Sequence, residues 1–202
     1  EKARFETLRV VLIKPSKYDD EGYVVRFWKG VLPSNTLNVL HGLTEDLRQR
    51  RVFGDLDIEI VTYDETVEKL PVKKIIRWSR DPSRKVVVGL VGVQTNQFPR
   101  ALELGRRFRA AGIDVIMGGF HTSGTVSMLG ADEPDIQELF RESISVVSGE
   151  VEGKWELILA DCIRGQLKPL YAGSLIQFSF DAEIKGSGAA GTAPELGVLL
   201  QG

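Results

Sequence analysis

Short apolar runs separated by amphipathic segments constrain the fold of this chain more than any other feature. Apart from Arg9, residues 8–13 are apolar, as are residues 86–93, and both runs are rich in β-branched side chains, which is typical of strands buried on both faces of a parallel sheet. Shorter apolar runs at 114–117 and 144–147 predict two more strands, and the alternating segment 57–62 predicts a half-exposed edge strand. The sequence therefore predicts five strands.

Helical periodicity fills the intervals between these runs. Four helices are predicted, at residues 35–50, 99–111, 135–142 and 151–164. Ser34 is the predicted N-cap of the first, Gly112 and Gly165 end the second and the fourth, and Pro71 leaves the interval 66–78 ambiguous. This alternation predicts an α/β fold, a doubly wound five-stranded parallel sheet that is Rossmann-like, with the flavodoxin-like strand order 2-1-3-4-5.

Composition excludes several classes of function. The chain carries 26 Lys and Arg against 28 Asp and Glu, a net charge of -2. It therefore lacks the excess of positive charge that is typical of proteins that bind nucleic acid or an anionic membrane. Its one cysteine, Cys162, cannot form an intrachain disulfide, and no apolar run approaches the roughly 18 residues of a membrane span. We expect a cytoplasmic protein with neither a nucleic-acid nor a membrane partner.

The last 31 residues differ in character from the rest. Segment 172–202 is rich in glycine and poor in charge, and within it residues 175–180 are strand-like. We predict one domain over residues 1–171, followed by a tail or linker that is native, a frame error or vector sequence, or the truncated start of a next domain. The first residue, Glu1, is not Met, which suggests a fragment.

The carboxyl ends of the predicted strands are where a doubly wound sheet binds its ligands. The first of these loops, residues 14–33, is about 20 residues long, and loops of that length in compact domains are usually functional. It contains Tyr18, Tyr23, Phe27 and Trp28, which would either cover a large flat ligand or close a local hydrophobic cluster.

Three further loops supply candidate binding residues at the ends of the third, fourth and fifth strands. The candidates are Gly92, Val93, Gln94, Thr95, Asn96, Gly118, Gly119, Phe120, His121, Gly149 and Glu150. Small residues let a ligand approach the backbone closely, and free N–H groups at a helix N-terminus hold amides or phosphate. Helix caps, a tight turn and dipole complementation are the alternative explanations, and His121 is more typical of a hydrogen-bonding loop residue than of a metal ligand.

Familiar enzyme motifs are absent from the sequence. There is no GxGxxG after the first strand, no Walker P-loop and no GxSxG elbow, and a lone cysteine cannot hold an iron–sulfur cluster within one chain. The sequence therefore predicts no catalytic residue and no protein metal ligand.

Three stretches resemble the N-terminal cobalamin-binding domain of cobalamin-dependent radical S-adenosylmethionine enzymes. They are VVLIKPS (10–16), VVVGLVGVQTNQFPRALELGRRFRAAGIDVIMGGFH (86–121) and SGEVEGKWELIL (148–159). The resemblance covers roughly residues 7–171, and the middle block is its most specific part.

This resemblance implies that the chain binds cobalamin without catalysing a reaction itself. The nucleotide tail would enter a slot formed by the loop 92–96 with Gly118 and Gly119, and the corrin ring would lie over the strand ends. A radical S-adenosylmethionine barrel in cis, with its iron–sulfur cluster and S-adenosylmethionine, would follow downstream and perform methyl transfer or a radical rearrangement.

Two departures from related domains qualify this expectation. No histidine lies between Lys14 and Leu40, so cobalamin would be bound without a histidine ligand to cobalt, and the Ser-x-Leu element of other domains is replaced by residues 91–93 (VGV). The alternative is a flavodoxin-like regulatory or partner-binding domain without cobalamin. Against it, Lys14 stands where a receiver domain has acidic residues, Glu150 stands where it has a lysine, and residues 14–20 poorly fit a flavin phosphate loop.

Overall fold

The computed structural model describes residues 5–27 and 34–172. Trp28, the end of the first loop and the strand-like segment 175–180 lie outside the described residues. In chain order the elements are β1 (Thr7–Lys14), α1 (Asn35–Gln49), β2 (Asp57–Asp64), α2 (Val72–Trp78), β3 (Arg84–Leu90), a 3₁₀ turn (Thr95–Gln97), α3 (Phe98–Ala110), β4 (Asp114–Gly118), α4 (Phe120–Met128), α5 (Pro134–Arg141), β5 (Ser145–Ser148), α6 (Trp155–Arg164) and β6 (Leu170–Ala172).

One parallel sheet organises the described residues, with the order β2-β1-β3-β4-β5-β6. The predicted order of the first five strands is confirmed, but the count of five is wrong because β6 joins the edge beside β5, with Val147 opposite Tyr171. A strand of three residues carries too little pattern to be predicted. It is held by Tyr171, whose hydroxyl donates to the Asp161 carboxylate of α6 at 2.8 Å.

Helices cover both faces of the sheet, as a doubly wound fold requires. Alternate residues of each strand face opposite layers, so the core divides into two apolar clusters. One cluster joins the sheet to α1 and α6, through residues such as Leu40 and Ile158. The other joins it to α2, α3 and α5, through residues such as Ile75, Leu104 and Leu139.

Helix α4 corrects the prediction of a loop after β4. Its sequence lacks an amphipathic stripe, since only His121 and Thr122 are buried, and Gly, Ser and Thr are weak helix formers. Contacts with β5 and with the residue after it hold the helix instead. The Thr122 hydroxyl donates to the Val147 carbonyl at 3.3 Å, and the Ser123 hydroxyl accepts from the Gly149 N–H at 3.0 Å.

The first loop begins with a hairpin anchored by buried charge. Tyr18 and Val24 form an antiparallel bridge. Next to the bridge lies Glu65, which is fully buried. Its carboxylate accepts a hydrogen bond from Nη2 of Arg100 at 2.6 Å and another from the backbone N–H of Ser16 at 3.2 Å. These contacts fix the hairpin against the end of β2 and the start of α3, at the carboxyl edge of the sheet.

No helix of the described residues combines the length and the apolar character needed to cross a membrane.

Candidate ligand-binding site

A slot of about 520 Å³ lies over the carboxyl halves of β3, β4 and β5, on the face covered by α1 and α6. One wall comes from the start of α1 and the other from the β5–α6 loop and Trp155. Its lining residues are Asn35, Thr36, Val39, Leu40, Gly89, Leu90, Val91, Gly92, Ile116, Gly118, Gly119, Phe120, Ser123, Val147, Gly149, Glu150, Val151, Glu152 and Trp155. A volume of this size falls within the roughly 300–1,000 Å³ of ordinary small-molecule sites.

Two glycines on the sheet make the floor of the slot. Val91 and Ile116 belong to the apolar cluster on this face, and the two-residue period of a strand turns Gly89 and Gly118 the same way. A Cβ at Gly118 would lie 3.4 Å from Val147 Cβ, so a methyl group would nearly fit, whereas a large side chain would occupy the slot. The missing side chains therefore create the space.

Six of the eleven predicted binding residues line the slot. They are Gly92, Gly118, Gly119, Phe120, Gly149 and Glu150. Three more, Gln94, Thr95 and Asn96, are exposed and border a shallow hollow that also contacts Phe120. Phe120 is 77% exposed and joins the hollow to the slot.

The remaining two predicted residues, Val93 and His121, are buried away from the slot. The backbone N–H of Val93 donates to the Gly118 carbonyl at 3.2 Å, and the Val93 carbonyl accepts from the backbone N–H of His121 at 3.0 Å. The His121 ring packs on Phe98 with the centroids 4.4 Å apart, and its Nε2 lies 3.0 Å from the Asp135 carboxylate without completing a well-aligned hydrogen bond. The histidine thus contacts α3 and α5.

No metal site is found in the described part of the chain. Within it, no group of three or more His, Cys, Asp or Glu side chains could hold an ion. His41 is exposed on α1 and does not line the slot. Burial, together with the nearby Asp114 carboxylate, raises the pKa of Cys162 to about 12, so this thiol stays protonated and is not a nucleophile at neutral pH.

The wall from α1 was not predicted from the sequence. Leu37, Leu40 and Leu47 form the buried stripe of that helix, and Val39 lies off the stripe with 43% of its surface exposed. An apolar residue outside the buried stripe, such as Val39, could have indicated that α1 forms a wall of a binding site. Gly89 gave a second signal, because glycine inside a strand often marks a close approach of a ligand.

The mouth of the slot is acidic. Glu150 and Glu152 are exposed on the wall from the β5–α6 loop, and the residues that line the slot include no Lys, Arg or His. Nearby, Lys154 donates from Nζ to the carbonyls of Ser148 and Glu150, at 3.3 and 2.9 Å. Partial burial lowers the pKa of Lys154, against the opposing effect of the two carboxylates. Its ammonium group thus holds the loop together.

Trp155 bridges the two walls, and replacing its partner Thr44 with valine should destabilise the fold. The indole Nε1 donates to Thr44 Oγ1 at 2.8 Å, and both residues are buried. Thr44→Val keeps the shape but leaves the N–H without an acceptor, which costs about 1–3 kcal/mol of unfolding free energy. Urea unfolding followed by tryptophan fluorescence measures the loss. Thr44→Ser retains the hydroxyl and is the control; equal losses in the two variants would contradict the role of this bond.

No protein-family model, curated protein or solved structure matches the chain.

Proposed function

We propose that this chain binds cobalamin, with the nucleotide tail of the cofactor held in the slot. The observation that carries the proposal is the slot itself, an apolar space over the sheet whose floor is formed by Gly89 and Gly118. The sequence resemblance put a cobalamin tail beside Gly118 and Gly119, and both residues line this space.

The residues of the slot fit such a group. A flat heterocycle needs an apolar space, and the two floor glycines leave that space beside Ile116 of the sheet and between walls that include Val39 and Trp155. Asn35, Thr36 and Glu150 line the slot and carry polar side chains that suit ribose hydroxyls. Phe120 and the hollow beside it extend the surface along the carboxyl edge, where the corrin ring would lie.

The lining also bears on the cobalt ligand. The slot includes no imidazole, since His41 is exposed on α1 and His121 packs on Phe98. Cobalamin bound here would therefore have no histidine ligand from the slot. Bound cobalamin supplies methyl-transfer or radical-rearrangement chemistry, and we propose that a radical S-adenosylmethionine barrel in cis carries out that reaction. The residues of this chain bind and orient the cofactor.

Gel filtration after incubation with hydroxocobalamin tests the proposal. We expect the full chain to retain about one cobalamin, with a visible spectrum that lacks the features of a nitrogenous protein ligand. Gly118→Trp should weaken retention by more than about tenfold, or about 1.4 kcal/mol, because the indole fills the slot.

Gly42→Trp is the matched control, because Gly42 is exposed on α1 and a Cβ there meets no atom within 4 Å. It should retain cobalamin like the unmodified chain. Failure of the unmodified chain to retain cobalamin would overturn the proposal, and equal retention by the two tryptophan variants would overturn the assignment of the slot.

A second candidate is a flavodoxin-like regulatory or partner-binding domain without cobalamin. One observation favours it: α4 carries no Lys, Arg, Asp or Glu and leaves Phe120, Met128 and Leu129 exposed at 77%, 83% and 65% at or beside its ends. Exposed apolar groups of this kind often mark a protein contact. If the chain fails to retain cobalamin, the informative experiment is the double variant Phe120→Glu with Met128→Glu, which introduces two negative charges on this surface and is tested for loss of self-association or partner capture.

A further inference from the structure

The side chains that line the slot change from polar to apolar with depth. The polar ones are exposed or half-buried, and they are Asn35, Thr36, Ser123, Glu150 and Glu152. Six lining side chains are buried, and all of them are apolar: Leu40, Leu90, Val91, Ile116, Val147 and Trp155. These six side chains form the interior of the slot.

Polar atoms around this interior already have partners in the protein. The Trp155 N–H is used in the hydrogen bond that joins the two walls. The Gly118 carbonyl accepts from the Val93 N–H at 3.2 Å, and the Val147 carbonyl accepts from the Thr122 hydroxyl at 3.3 Å. Pairing between β3, β4 and β5 engages the backbone of the strands themselves. A polar ligand group that reached the interior would therefore lose water without gaining an equivalent hydrogen bond.

Apolar character alone would be that of an ordinary core. All of the interior side chains except Leu90 belong to the apolar cluster under α1 and α6, which stabilises the fold in any case. The difference lies at Gly118, where no side chain covers the neighbouring apolar atoms and the space stays open to a ligand. Contact with an apolar group of the ligand is then favoured by the hydrophobic effect. The interior thus admits apolar groups and is unfavourable for polar ones.

We propose that the interior of the slot selects the heterocyclic base at the end of the cofactor tail, accepting a benzimidazole and disfavouring a purine. This inference rests on the proposed binding of cobalamin with its tail in the slot. The six-membered ring of dimethylbenzimidazole carries methyl groups and no hydrogen-bonding atom, whereas that of adenine carries ring nitrogens and an amino group. Burial of the adenine groups without partners costs binding free energy, while the methyl groups gain from apolar contact.

The test compares cobalamin with the cobamide that has adenine in place of dimethylbenzimidazole, in binding to the full chain. Isothermal titration calorimetry gives each dissociation constant. Acid titration of the free cofactors, followed by visible spectra, gives the fraction of each with its base off cobalt, and this fraction corrects the dissociation constants. We expect the corrected dissociation constant of the adenine form to be about tenfold higher, which is the scale of a buried polar group left without a partner.

A hydroxyl added to the interior should reduce this preference. Val147→Thr keeps the shape of the side chain beside Gly118 and adds a group that can donate or accept, so the ratio of the two dissociation constants should fall about fivefold. This change in ratio needs no correction, because the free cofactors are the same for every variant.

Val146→Thr is the matched control, because it adds the same hydroxyl to the same strand on the face that is turned away from the slot. It should leave the ratio unchanged to within about twofold. Circular dichroism and urea unfolding establish that each variant is folded. Ile116→Thr, which lines the slot from β4, repeats the test if Val147→Thr does not fold.

The outcomes separate this inference from the proposed function. If the unmodified chain binds the two cofactors equally well after correction, selection of the base is wrong while cobalamin binding stands. An unchanged ratio in Val147→Thr, or an equal change in Val146→Thr, would mean that the interior of the slot is not the source of the preference, and the inference is again overturned. If neither cofactor binds, the proposed function fails and the inference fails with it.

Discussion

Replacing Glu65 with alanine is expected to lower the free energy of unfolding by about 3–5 kcal/mol. Glu65 is fully buried, and its carboxylate accepts hydrogen bonds from Nη2 of Arg100 at 2.6 Å and from Nε of Arg100 at 3.1 Å. Arg100 is only 8% exposed, so removal of Glu65 leaves a buried guanidinium without its principal partner. Urea unfolding at neutral pH, followed by circular dichroism, measures the loss.

The effect should come from uncompensated charge, and two controls separate that cause from simple loss of packing. Burial alone would lower the pKa of Arg100, but hydrogen bonds to Glu65, Tyr18 and Glu103 raise it above its ordinary value, so the charge persists in the folded state. Glu103→Ala removes a partner that is 43% exposed and should cost about 1 kcal/mol or less.

The double variant Glu65→Leu with Arg100→Met removes both charges and should recover most of the stability, because an apolar pair can replace a buried ion pair. A double variant as unstable as Glu65→Ala would contradict this explanation.

Glu65→Ala also tests a part of the candidate site, since the Glu65–Arg100 pair holds the hairpin of the first loop at the carboxyl edge of the sheet. Weakened cobalamin retention in Glu65→Ala, at a temperature where the variant is folded, would show that the hairpin contributes to the cofactor surface.

The sequence sufficed for the features that depend on local composition. Continuous apolar runs specify buried strands, and the alternation of those strands with amphipathic helices leaves few topologies, so the order of the first five strands could be predicted. Local chemistry also specified several helix ends. Gly165, for example, has φ +68° at the end of α6, a left-handed conformation that favours glycine.

Features that depend on contacts between distant residues could not be predicted in this way. Helix α4 and strand β6 are held by β5 and α6, and neither has a strong pattern of its own. The pairing of Glu65 with Arg100 joins residues 35 positions apart, and in the sequence each is one charged residue among many. A charged residue becomes recognisable as buried only once the fold brings its partner to it.

The candidate site shows the same division. Glycines at strand ends predicted part of the slot, because the absence of a side chain is a local property that a sequence displays directly. What fills the space beside each glycine, in contrast, depends on residues that are distant in the sequence. Gly118 opens toward the slot, whereas Gly119, the next residue, is pressed against the backbone of the preceding loop. His121 likewise follows the glycines in sequence, yet the first turn of α4 directs it toward Phe98 and Asp135.

This contrast between the two glycines leads to the second large prediction, a loss of more than about 3 kcal/mol of unfolding free energy in Gly119→Ala. A Cβ at Gly119 would lie 2.1 Å from the backbone nitrogen of Val93 and 2.7 Å from its carbonyl oxygen, and φ at Gly119 is +148°. Backbone atoms cannot move aside as a side chain can. The substitution must therefore separate the loops after β3 and β4, which also breaks the hydrogen bond from the Val93 N–H to the Gly118 carbonyl.

Gly124→Ala provides the matched comparison, because Gly124 lies within α4 and a Cβ there meets no atom within 4 Å. Alanine is the better helix former, so this variant should gain up to about 1 kcal/mol in the same urea titration. The two substitutions add the same methyl group only five residues apart. If the free energy of unfolding falls in Gly119→Ala and rises in Gly124→Ala, the loss comes from the close approach of Gly119 to the loop after β3 and not from the methyl group as such. A loss below about 1 kcal/mol in Gly119→Ala would mean that the loops can separate cheaply, and the wall of the slot beside Gly92 would then be adjustable rather than fixed.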